Sequence, residues 1–155
     1  MKSVFYSIAA AGLLAMPVTA AEHAMGDASA GEDAFSQCSA CHVVVNDEGE
    51  TLAGRNGRQG PNLYGVIGRQ AGSVEDFRYG DSIVEAGENG LVWDQESLAA
   101  YLLDPTGYLR EVLDDDRARG KMSYRVRSEE DAANLAAFLA TFSEAEEEGE
   151  ASSDS

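Results

Sequence analysis

Cys38-Ser39-Ala40-Cys41-His42 contains the only two cysteines of the 155-residue chain, followed at once by one of its only two histidines. Two thiols separated by two residues can reach two vinyl groups of one haem and form thioethers. A histidine directly after the second thiol then comes up beneath the iron as its proximal ligand. Other uses of such thiols fit less well. A structural zinc site takes about four nitrogen or sulfur ligands, and here Cys38, Cys41 and His42 could be joined only by the distant His23. A thioredoxin-like dithiol is expected near a βαβ pattern, and no such alternation is visible. A Cys38–Cys41 disulfide would close a very short loop and stabilise little. Covalent attachment of one haem c is therefore the leading reading.

Iron held by His42 has either an open sixth position or a second ligand. The methionines are Met1, Met16, Met25 and Met122. Met1 and Met16 fall in a segment expected to be removed, and Met25 and His23 lie close to the resulting new terminus. Met122 is the well-placed thioether. From the residues alone it reads either as a ligand or as a gap-filling core residue, although Lys121 and Ser123 make a poor setting for core. Pro61, in Gly60-Pro61-Asn62-Leu63, has a carbonyl free to accept the second N–H of a metal-bound histidine. Spacing alone favours an ordinary Gly-Pro turn there. Trp93, the sole tryptophan, reads first as core and second as a donor to a haem carboxylate.

These residues need elements to position them. Met1–Ala21 has one positive charge, an apolar run and small residues at its end, the pattern of a secretory signal. Residues 22–142 then form one small domain, and 143–155 reads as an acidic, solvated tail. Asp27 or Ser29 caps a helix running to Phe35 and leading into the cysteines. Residues 46–60 read as a surface loop. Asp94 begins a helix with Leu98, Tyr101 and Leu102 at helical spacing, ended by Asp104-Pro105. Ser128 opens a last helix with the apolar stripe Leu135, Phe138, Leu139 and Phe142. The formal charge of −17 argues against nucleic acid as a partner, since phosphate binding needs a basic footprint. Five of the eleven lysines and arginines lie between Arg117 and Arg127, which suggests a positive rim around Met122 on an acidic body.

Taken together, CSACH at 38–42, GPNL at 60–63, Gly68-Arg69, the Trp93 segment, LLDPTGY ending at Tyr108, Lys121-Met122 and NLAAFL near the end form a pattern. From Gly26 to Phe142 the chain resembles the class I c-type cytochromes, most closely the cytochrome c2 group. The resemblance implies an all-α fold of helices wrapped around one covalently attached haem c, with long loops. It implies His42 and Met122 as axial ligands, with the Pro61 carbonyl accepting from the His42 ring. It further implies Arg69, Tyr79 and Trp93 at a haem propionate, Tyr108 beside the methionine sulfur, and Gly31 and Phe35 crossing Leu135 and Phe138. The sequence departs from the mitochondrial members in longer 43–59 and 110–120 segments, in Gly120 where threonine is common, and in its acidity.

Imidazole and thioether together leave iron no vacant position, and the thioether favours the ferrous state. The expected protein is a monomeric, soluble periplasmic electron carrier, not an enzyme and not integral to a membrane. By the resemblance it shuttles electrons from a quinol-oxidising membrane complex to a terminal oxidase or photosynthetic reaction centre, docking at the haem edge. The alternative is a haem c protein with an open or displaceable sixth site, a peroxidase or gas sensor. Such chemistry usually uses a distal histidine, and only the remote His23 is left to supply one.

Overall fold

The computed structural model describes residues 26–143. The expected signal, His23, Met25 and the acidic tail beyond Ser143 lie outside the described residues. Among those described there are five helices: α1 Ala28–Phe35, α2 Asp81–Glu88, α3 Gln95–Leu103, α4 Pro105–Leu113 and α5 Glu129–Ala140. A short antiparallel hairpin joins β1 Val43–Val45 to β2 Thr51–Gly54, with a bulge between Val44 and Val45.

The helices begin where side chains satisfy free backbone N–H groups. Asp27 Oδ1 accepts from the Ser29 and Ala30 amides at 2.8 and 3.3 Å. Asp94 and Ser97 close a reciprocal capping box on α3, and Ser128 Oγ accepts from Asp131 N–H at 3.1 Å on α5. The most extensive helix contact is α1 against α5. There a Cβ on Gly31 would stand 2.0 Å from the Asn134 carbonyl oxygen, so only glycine lets the two backbones come so close. Phe35 packs on Phe138 with ring centroids 5.5 Å apart. Asn134, 8% exposed, accepts from the Asp27 amide at 2.7 Å and locks the crossing. Helix α3 also packs against α5.

Three elements differ from the reading of the sequence. The stretch read as loop from residue 46 is partly hairpin. The β-branched Val43-Val44-Val45 supplies one strand, and Asn46 closes the turn by accepting from Glu50 N–H at 2.8 Å. Helix α2 was not foreseen, because Gly80 offers it no capping side chain and Gly87 within it is a weak helix former. Helix α4 was hidden by Pro105, which ends α3 and also stands at the first position of the next helix. Asp104 serves both, accepting from Gly107 N–H at 3.0 Å.

Candidate functional site

The chain leaves α1 in a tight turn. Cys38 N–H donates to Phe35 O at 2.8 Å, Cys41 N–H to Cys38 O at 3.0 Å and His42 N–H to Cys38 O at 2.9 Å. That turn holds both thiols and the imidazole along one wall of a cavity of about 380 Å³. No disulfide joins the cysteines. Burial, and secondarily the neighbouring Cys41, push the Cys38 thiol up to about 11, so it stays protonated at neutral pH.

His42 Nδ1–H donates to the Pro61 carbonyl at 2.9 Å. This bond fixes the ring and leaves Nε2 as the nitrogen with a free lone pair. Burial lowers the His42 pKa, opposed in part by the bond to Pro61; the neutral form is the one that binds a metal. Pro61 is held in place by its neighbours. Gly60 N–H donates to Cys41 O at 2.8 Å and Leu63 N–H to Val43 O at 2.9 Å. Asn62 pairs twice with Val45, accepting its N–H at 2.9 Å and donating to its carbonyl at 2.7 Å. A Cβ on Gly60 would lie 2.2 Å from the imidazole ring, so the loop lies flat on His42 only because residue 60 is glycine.

Met122 borders the same cavity and packs against the core. Its segment has no regular structure and hangs from other elements by single bonds. Arg119 N–H donates to Ser82 Oγ at 3.1 Å and Gly120 N–H to Thr106 Oγ1 at 3.0 Å. The Lys121 ammonium donates to the Arg78 carbonyl and sits 5.7 Å from the Phe77 ring centroid. Gly120, where the resemblance favours threonine, already has little room. A Cβ there would come within 3.1 Å of Pro105 Cβ.

At the polar end, Arg69, Tyr79 and Trp93 all border the cavity. Arg69 donates to the Tyr64 and Asn62 carbonyls at 2.8 and 3.0 Å, which pins its charge in a part-buried position and lowers its pKa through desolvation. Burial raises the Tyr79 pKa, and the nearby Arg69 charge pulls it back.

Tyr108, expected beside the methionine sulfur, packs among other aromatic rings. It stands outside the cavity wall, its ring centroid 6.0 Å from both Trp93 and Tyr101. Of these two tyrosines, Tyr101 lines the wall, 8% exposed and pushed up to about 12 by burial. In the sequence Tyr101 looked like one more apolar helix position, which its hydroxyl does not contradict. Asn134 also escaped notice; its one signal was a polar residue set directly beside the apolar stripe.

These donors suit a flat, largely apolar macrocycle carrying a metal and carboxylates. Two thiols, an imidazole nitrogen and a thioether border one apolar slot, with a cation and phenol at its end. Zinc lacks ligands: among the described residues no group of three or more His, Cys, Asp or Glu could hold a metal ion. No helix among them is long and apolar enough to cross a membrane.

No protein-family model matches the chain. The cytochrome c2 of Rhodovulum adriaticum is 59% identical over 122 residues, covering 79% of this chain and 97% of that protein. The chain belongs to the cytochrome c2 family. A cytochrome c2 of Cereibacter sphaeroides is 49% identical over 132 residues, covering 84% of this chain and 89% of the relative. The crystal structure of cytochrome c2 from Rhodobacter sphaeroides superimposes with a TM-score of 0.74 at 50% identity, covering 76% of this chain and 97% of that one. Membership in the cytochrome c2 family makes the protein an electron carrier, not an enzyme, with one covalent haem c and a mostly helical fold.

Proposed function

We propose that Cys38 and Cys41 carry the thioether links, that His42 Nε2 and the Met122 sulfur are the axial ligands, and that the protein is an exported one-electron shuttle. The observation that carries the proposal is that His42, oriented by its bond to Pro61, and Met122 border the same cavity. The haem supplies exchange of a single electron at an iron whose potential the thioether raises. The polypeptide orients the imidazole through Pro61 and lines the cavity with Leu98, Leu135 and Leu139 against water; Arg69, Tyr79 and Trp93 on the same lining would receive the haem carboxylates. Of the α3 and α4 tyrosines, Tyr101 borders the cavity with Met122, which supports it over Tyr108 as the phenol beside the methionine.

The charged start and apolar run of 1–21 support export to the periplasm. Transfer from a quinol-oxidising membrane complex to a terminal oxidase or reaction centre suits the carrier. Docking would use the exposed residues around Met122. The positive rim expected there is interrupted: Arg117 pairs with Asp115 at 3.2 Å and Arg125 with Asp104 at 2.9 Å. Among the described residues Arg119, Lys121 and Arg127 have no ion-pair partner, and they are the cations of this stretch left for a partner.

The reduced protein should show the α-band of haem c, and the oxidised protein a sulfur-to-iron band near the red end of the spectrum. Met122→Ala should keep the haem attached and lose that band. A variant that keeps the band removes Met122 from the ligand set.

A further inference from the structure

The ties on the two sides of Met122 are unequal. On the N-terminal side, three successive residues are bonded, to Ser82, Thr106 and Arg78. On the C-terminal side, Ser123 and Tyr124 have one side-chain tie among the described residues. The Tyr124 phenol donates to Gln37 Oε1, on a residue 87 positions earlier in the chain. Gln37 sits in the turn between α1 and Cys38, so this bond joins the methionine segment directly to the cysteine segment. The next anchors are the exposed Arg125–Asp104 pair and Val126 N–H donating to Leu102 O at 2.9 Å.

Gln37 and Tyr124 border the main cavity and also share a second, adjoining hollow of about 370 Å³ with Val126, Arg127, Asp131 and Leu135. Tyr124 is 41% exposed and borders the second hollow, which leaves its ring room to turn once the hydroxyl is released. The N-terminal side then acts as a hinge and the Tyr124 side as a door.

We propose that the Tyr124–Gln37 hydrogen bond is a latch that keeps the Met122 sulfur seated, which makes both residues positioning residues for the sixth ligand. Its opening sets how readily an outside ligand displaces that sulfur. The latch rests on the reading of Met122 as the sixth ligand.

The test is titration of the oxidised holoprotein with imidazole, followed by loss of the sulfur-to-iron band. Tyr124→Phe keeps the ring and removes the hydroxyl, and Gln37→Leu removes the acceptor. Each should raise the apparent imidazole affinity roughly two- to tenfold, the range expected for one hydrogen bond. The double variant should gain no more than either single one, because both remove the same interaction. Ser128→Ala, which weakens the α5 cap and so lowers general stability, should leave the affinity within about twofold of the parent. Parent-like affinity in both single variants, or an equal rise in Ser128→Ala, overturns the latch while the ligand assignment stands. A parent protein with no sulfur-to-iron band overturns the assignment, and the latch falls with it.

Discussion

The two sides of the cavity are built on opposite plans. The histidine side, from Ser36 to Leu63, is tied by bonds between neighbouring stretches of chain. Its turn bonds to itself, its hairpin closes behind it, and Asn62 clamps the proline loop onto β1. The methionine side, from Arg119 to Arg127, bonds little to itself and hangs from α2, α3, α4, the Arg78 loop and the α1 exit. A ligand held by local structure stays where covalent attachment needs it. A ligand held by scattered single bonds can move without unfolding the rest, since local opening costs only the contacts broken.

That contrast can be broken most directly with one substitution made on both sides. Gly60→Ala puts a methyl group 2.2 Å from the His42 ring, and a packed site resists at a cost of about 1–3 kcal/mol. Gly120→Ala meets its nearest atom at 3.1 Å and should cost under about 1 kcal/mol, because its segment can shift. Denaturant midpoints of the two holoproteins measure the difference; an equal or reversed order defeats the contrast.

A second pair removes bonds instead of space. Asn62→Ala loses both bonds to Val45 and the Tyr64 N–H it accepts at 3.1 Å, about 2 kcal/mol together. Thr106→Val loses only the Gly120 N–H acceptor, about 1 kcal/mol. Hydrogen exchange should show protection lost around Val45 in the first and around Gly120 in the second. Spread of either effect across both regions would mean that they open as one.

The smallest effect concerns α3, the wall common to both sides. Ser97 hydrogen bonds hold the Asp94 carboxyl below its usual value of 3.8. Its contribution is therefore present above about pH 4 and lost as pH falls through the lowered folded value. Asp94→Asn keeps a capping oxygen but removes the charge at the helix start, costing about 0.5 kcal/mol at pH 7. The deficit should close below the folded-state value. A deficit constant from pH 7 to pH 3 would assign it to packing instead of charge.

Locality decides how much of this was legible. CSACH, the Asp94 and Ser128 caps, the Asp27-or-Ser29 start of α1, and the apolar spacing of α3 and α5 each depend on residues a few positions apart, and these could be read directly. Helix α2 lacked a capping side chain, and the Asp104 cap and Pro105 that open α4 read as the end of α3. Tyr101 and Tyr108 are chemically alike and a few residues apart, so which one reaches the cavity depends on how α3 and α4 pack. Asn134 shows its purpose only when α1 lies across it.

The amino-acid order alone determined that two thiols and an imidazole stand together after a capped helix, because one helical turn of backbone brings them there. Only the tertiary structure decided which sulfur-bearing segment faces the same cavity and what restrains it. Those partners are separated by tens of residues, and burial of a shared core, not any local preference, brings them within bonding distance.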